Sequence, residues 1–211
     1  MNTTVRANSA VCGTGSRCIR CSGPKGDEVA RTKPGEQRRS ELLDAAESRV
    51  LQDGIDSLTV DDITVGAGVA KGTFYLHFTN KDDLLGALRD RYVQRFVSNQ
   101  RQAAEPSGGV DKIERWILSG IDEYRRDVRL HDLLFHHPSR PEGPEDNPAV
   151  DALRDLLVEI GATIPDPTAT AVILYHAMHG TADHILHTPA DEDRMLAEVT
   201  RLCQILLAPA T

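Results

Sequence analysis

The block from Leu58 to Lys81 constrains this chain more than any other stretch. Val60, Ile63, Ala67 and Val69 fall on one apolar face of a short helix, with Thr59 placed to cap it and Asp61 and Asp62 in its first turn, where the helix dipole favours acids. Gly68 then supplies a sharp turn at positive φ, which glycine adopts at no steric cost. Phe74 and Phe78, four apart on a second short helix over residues 70–78, point inward together. Lys71, Gly72, Thr73, Tyr75 and His77 are left at the outer face or its N-terminal end. A helix end carrying small residues, a lysine and a hydroxyl can enter the major groove of DNA closely. The block therefore predicts a helix-turn-helix over residues 60–79.

The rest of the chain reads as helix. Leu42, Ala46 and Val50 recur every four residues, widened by Leu43 and Ala45, and Gly54 stops the run. Asn80 caps a long helix over residues 81–102, which ends before Pro106-Ser107-Gly108-Gly109. Further helical pieces are expected at 110–126, 130–136, 150–160, 168–187 and 191–207, with a Pro- and Glu-rich loop at 138–148. No segment sustains period-two alternation of β-branched residues, so a sheet is not expected. The expected fold is all-α, about nine helices: a three-helix head (residues 35–81) followed by a helical domain (residues 82–211).

The net charge of −8 argues against a nucleic-acid partner until its distribution is considered. Residues 1–40 hold eight Lys and Arg against three acids, whereas the remainder is acidic. A positive field is thus confined to the N-terminal end. Residues 1–34, rich in Gly, Ser, Thr, Arg and Pro, cannot bury enough apolar surface to order themselves and are expected to form a disordered basic arm. The arm either tracks phosphates, or is a solvated tail or residues upstream of the true start. It lacks the apolar core of a signal peptide, and no apolar run reaches 18 residues, so a cytoplasmic protein is expected.

From about Glu36 to Leu85 the chain resembles the TetR (tetracycline-repressor-like) family. The likeness is carried by Leu43, Ala45 and Ala46, Gly54, Leu58-Thr59-Val60, Ile63, Ala67-Gly68-Val69, Lys71-Gly72-Thr73-Phe74-Tyr75, His77-Phe78 and Lys81. The resemblance implies that Thr59, Tyr75, His77 and Lys81 hold phosphates of double-stranded operator DNA, and that Lys71, Gly72 and Thr73 lie nearest base edges. It also implies a homodimer formed through a four-helix bundle of the last two helices. Two positions depart from the family pattern. Thr64 stands where alanine is usual and the two helices pack closely, and Ala70 replaces the usual Ser or Thr cap, a loss of about 1 kcal/mol. Gly66, inside the first short helix, costs roughly 1 kcal/mol as well.

Family resemblance further implies a cavity for a small-molecule effector among the later helices, with Trp116, Tyr124, His131, Phe135, Tyr175 and His176 as candidate lining residues. His176, His179, Asp183 and His187 fall within roughly 80° of one another on a helix. This stripe is read as a polar seam in a dimer interface, a solvent-facing row, or a metal or pH sensor. Cys12, Cys18 and Cys21 invite a zinc or thiol-switch reading, but a fourth ligand is missing nearby and Cys203 lies in the last helix.

The chain has no Gly-rich phosphate loop, nucleophile elbow or zinc-protease pattern, so no catalytic residue, metal or cofactor is expected. A structural or adaptor role is the other rival. The expected function is a ligand-responsive transcriptional regulator, a repressor by family analogy, with metal or thiol sensing through the His stripe or the cysteines as the alternative.

Overall fold

The computed structural model describes residues 35–136, 147–161 and 164–207. The arm and its three cysteines, and most of the 138–148 loop, lie outside them. The described residues form eight α-helices and one 3-10 turn, and no strand, close to the nine helices expected.

The head comprises α1 (Gly35–Asp53), α2 (Val60–Ala67) and α3 (Lys71–Tyr75). Local chemistry sets these boundaries. Thr59 accepts a hydrogen bond from the Asp62 amide while the Asp62 carboxylate accepts from the Thr59 amide, a reciprocal capping box at the start of α2. Gly68 ends α2 at φ 65°, in the left-handed region that a side chain would strain. Leu42, Ala46 and Val50 of α1 share one buried core with Ile63, Phe74 and Phe78. Burying a phenylalanine as completely as Phe74 contributes about 2–3 kcal/mol, so α3 is held by this anchor rather than by its own propensity.

The expected second helix over 70–78 is shorter in the structure. Ala70 makes no side-chain cap bond, and regular α3 ends at Tyr75. Gly66 also has a different meaning from the one its propensity gives. A Cβ at that position would stand 3.1 Å from the Ala45 Cβ, so the close approach of α2 to α1 occurs here. Thr64 is buried and satisfies its hydroxyl on the Asp61 carbonyl at 3.1 Å.

The body begins with α4 (Lys81–Ala104), capped by Asn80, whose side chain accepts from the Asp83 amide at 2.9 Å. It packs along α5 (Val110–Phe135), which in turn packs on α7 (Pro167–His187) and α8 (Glu192–Leu207), while α6 (Pro148–Glu159) lies on α7. The two pieces expected at 110–126 and 130–136 are one helix with a kink at Asp127 (φ −115°, ψ 21°). Asn147 and Asp166 cap α6 and α7, each followed by a proline at the first helical position, where its missing N–H costs nothing. A 3-10 turn, Pro189–Asp191, leads into α8. Among the described residues no helix is long and apolar enough to cross a membrane.

The centre of the body is a three-helix junction. The buried Gln100 side chain on α4 donates to the Trp116 carbonyl of α5 at 3.2 Å and lies 3.4 Å from the Met178 sulfur of α7. Gly120 makes the junction possible: a Cβ there would sit 2.1 Å from that sulfur and 2.3 Å from the Gln100 amide nitrogen.

Candidate functional site

On the head, Phe74 faces the core while its neighbour Tyr75, about 100° round the helix, is 56% exposed, so adjacent residues serve as an anchor and a presented ring. Lys71 and Gly72 are exposed on the same short helix, and nothing lies within 4 Å of where a Gly72 side chain would begin. Thr73 and His77 are half-buried; the His77 ring lies against Gly35 at the start of α1. Lys71 is not a free cation: its ammonium sits 2.8 Å from the Asp61 carboxylate of α2, which raises its pKa. Thr59, exposed, is engaged in its capping box, and Lys81 reaches the Ile55 carbonyl at 3.4 Å. Both residues thus have a structural task in the head besides the phosphate contact expected of them. Two apolar side chains escaped the sequence reading: Val65 and Leu76 stand out from the head, Leu76 with 81% of its surface exposed.

Arg91 joins the head to the body. Its guanidinium bridges Asp44 and Glu47 of α1, each at 2.6 Å, from its place on α4.

Within the body, α4, α5 and α7, with the start of α6, line a cavity of about 1240 Å³ that opens to solvent. Of the expected lining residues, Tyr124, His131, Phe135, Tyr175 and His176 reach it. Trp116 does not: it is 0% exposed and packs in the core at the Gln100 junction, a position no periodicity distinguishes from a cavity wall. Tyr92 and Phe96, four apart on α4, also line it, packed against His131, Phe135 and His179, and were not among the residues expected. Their i, i+4 spacing was legible, but so was an ordinary core role.

The rings touch one another. Tyr124 packs edge-on against His131 and His179, with centroids 4.7 Å and 5.1 Å away, and Tyr175 lies 4.3 Å from His179. Burial lowers the pKa of both histidines; for His131, with His179 nearby adding to the effect, it falls to about 4. Both imidazoles are therefore neutral at pH 7. His179 donates from Nδ1 to the Tyr175 carbonyl at 3.1 Å, whereas His131 Nδ1 and the Tyr92 hydroxyl are buried with no hydrogen-bond partner among the described residues.

The stripe of His176, His179, Asp183 and His187 divides in the structure. The first three line the cavity, and His187 bonds the Asp183 carbonyl outside it. The four do not gather as a metal site. Among the described residues, His131, Asp132 and His136 do bring ligand atoms within 4.8 Å of one another. Cys203 is buried, and burial pushes its thiol up to about 11, away from the thiolate that redox chemistry uses.

Residues 42–88 match the sequence profile described as bacterial regulatory proteins, tetR family. The chain is 31% identical over 121 residues to the HTH-type transcriptional regulator EthR of Mycobacterium tuberculosis, covering 57% of this chain and 55% of that protein. It is 29% identical over 114 residues to the HTH-type transcriptional regulator TtgR of Pseudomonas putida, covering 51% and 54%. The chain thus spans about half the length of the curated relatives it matches. Among solved structures, the regulator FadR from Bacillus subtilis, in complex with stearoyl-CoA, superposes with a TM-score of 0.59 at 19% identity, covering 82% of this chain and 99% of that one. At that identity the likeness establishes the fold.

Proposed function

We propose that this chain, which belongs to the TetR family of bacterial regulatory proteins, is a ligand-responsive transcriptional repressor. It binds a pseudo-palindromic operator as a homodimer and is released when a small molecule fills the cavity. Residues 35–81 serve as the reading head and residues 82–211 as the effector and dimerisation domain. The observation that carries this reading is the division of labour on α3. Phe74 locks the helix into the head while Lys71, Gly72, Thr73 and Tyr75 remain toward its outer side. Thr59, His77 and Lys81 flank them as candidate phosphate contacts.

The dimer reading draws on α7 and α8, which expose Val172 and Ile173, and Leu202, Ile205 and Leu206, respectively. Such rows on two adjacent helices suit burial against a second copy. Release follows from the position of α4. Its middle carries Arg91, bound to α1, and the next residue, Tyr92, with Phe96 one turn on, supplies the cavity wall. A ligand that displaces this wall changes the distance between two recognition helices, which must match half-sites about 34 Å apart.

The test is a gel shift with the DNA flanking the protein's own gene, against random competitor, for the native chain, Lys71→Ala and Tyr75→Ala. Tight binding to one pseudo-palindrome, weakened by both substitutions, supports the reading. Equal binding to random DNA, unchanged by either, contradicts it.

A further inference from the structure

The aromatic cavity has one side that is acidic. Asp90 of α4, Asp132 of α5 and Asp183 of α7 all line it, against a single guanidinium, Arg89. Asp132 and Asp183 keep 55% and 60% of their side chains in solvent, so they stand at the rim rather than in the floor. Their negative field reaches the interior. It adds to burial in raising the pKa of the Tyr124 phenol, the ring at the centre of the cluster. His131 and His179 are neutral, and the Arg95 guanidinium, which lies over the Tyr92 ring, is itself paired with Asp127.

Three helices thus place the faces and edges of Tyr92, Phe96, Tyr124, Phe135 and Tyr175 around one space. An aromatic face presents negative charge to a cation and attracts it most strongly where water is excluded. Acids at the rim add a long-range attraction and repel anions. Tyr92 and Tyr124 cannot ionise near neutral pH; Arg95 already lies over the Tyr92 ring, which leaves Tyr124 as the neutral π-face beside the acidic rim.

We propose that the effector of this cavity is an organic cation: an aromatic or apolar body carrying a permanent positive charge. The inference rests on the reading of the cavity as the effector site and adds to it the class of ligand. The body settles among the rings, and the charge lies between the Tyr124–Tyr175 side and the Asp132 and Asp183 carboxylates. The volume, about 1240 Å³, exceeds the usual range for drug-sized ligands. It is far more than a metal ion needs, so the His131, Asp132 and His136 group is read as part of this wall.

The test uses two ions of the same shape and opposite charge. Tetraphenylphosphonium and tetraphenylborate are titrated into the full chain by calorimetry, at about 0.15 M salt, where surface attraction is screened beyond roughly 8 Å. The phosphonium is expected to bind one site per protomer at least tenfold more tightly than the borate. In the double variant Asp132→Asn, Asp183→Asn, whose substituted side chains are largely in solvent, that preference falls toward unity. Tyr124→Leu weakens the phosphonium at least fivefold.

Equal or tighter binding of the borate overturns the proposal. So does phosphonium binding that both variants leave unchanged, or that EDTA abolishes, since the last outcome assigns the site to a metal. The assay contains no DNA, so its failure is separable from failure of the regulator reading. A chain that binds operator but neither ion refutes the cation alone.

Discussion

Arg95 on α4 donates to the carboxylate of Asp127, the kinked residue of α5, at 2.9 Å. The same guanidinium reaches Glu47 of the head at 3.4 Å and lies over the ring of Tyr92, 5.6 Å from its centroid. One side chain therefore touches the cavity wall, the kink between Tyr124 and His131, and the first helix of the head. A movement of the kink or of Tyr92 cannot leave Arg95 where it is without lengthening one of these contacts. Part-exposed ion pairs of this kind contribute only about 0–1 kcal/mol each to stability. Their weight in coupling is larger, because coupling needs only a difference between two states. Asp127→Asn is expected to leave operator affinity within about twofold and the unfolding midpoint nearly unchanged, while reducing ligand-induced release by about five- to tenfold. Anisotropy of labelled operator, with and without tetraphenylphosphonium, reads both quantities. Unaltered release in Asp127→Asn and in Arg95→Ala removes the relay.

The ion pair between Lys71 and Asp61 holds the lysine of the recognition helix on its own protein. If Lys71 contacts DNA as proposed, DNA competes with that carboxylate for the ammonium. Asp61→Asn removes the competitor and one unit of repulsion from the phosphates. Operator affinity is expected to rise about three- to tenfold, with random DNA rising similarly, since the change is electrostatic rather than a base contact. A fall in operator affinity would show that Asp61 instead positions Lys71 for the groove.

Gly120 is expected to tolerate no side chain. Gly120→Ala places a methyl inside the Met178 and Gln100 contacts, neither of which can move into open space, since both residues are buried. Overpacking of this size destabilises by about 1–3 kcal/mol, despite the helix propensity gained by alanine. Urea unfolding gives the number. An unchanged or raised midpoint would mean that the junction of α4, α5 and α7 is looser than its geometry states.

These examples show which features were legible in the sequence. The Thr59 and Asn80 caps, the Gly68 turn and the inward pair Phe74 and Phe78 were readable because each depends on neighbours within a turn or two of the chain. Five of the six expected cavity residues reach the cavity, which the family resemblance, rather than local periodicity, led one to expect among these helices. Trp116, Tyr92 and Gly66 were not readable. Whether a ring lines a cavity or a core depends on which helix comes to face it, and the need for glycine at position 66 is created by Ala45, 21 positions away. The Arg95 contacts likewise join residues 32 and 48 positions apart, which no periodicity reports.

The buried His131 makes stability depend on pH. Its folded pKa of about 4 lies below the ordinary 6.5, so between these values the unfolded chain binds the proton and the folded chain does not. The contribution of neutral His131 is complete above pH 6.5 and is lost as pH falls toward 4. From pH 7 to pH 5.5, above the range where carboxylates titrate, the native chain is expected to lose about 1 kcal/mol through this residue. His131→Phe, a ring of similar size that cannot be protonated, is expected to flatten the slope over that interval. A parallel slope in the variant would show that other groups govern it.

Whether the head reads sequence is decided by competition anisotropy with operator and random duplexes at about 50 and 200 mM salt. Operator binding is expected to be at least about 1000-fold tighter than random DNA at the higher salt, with both affinities falling steeply as salt rises. Equal binding of the two duplexes at both salts would mean that α3 contributes charge and no base recognition, and that the chain is not a sequence-specific regulator.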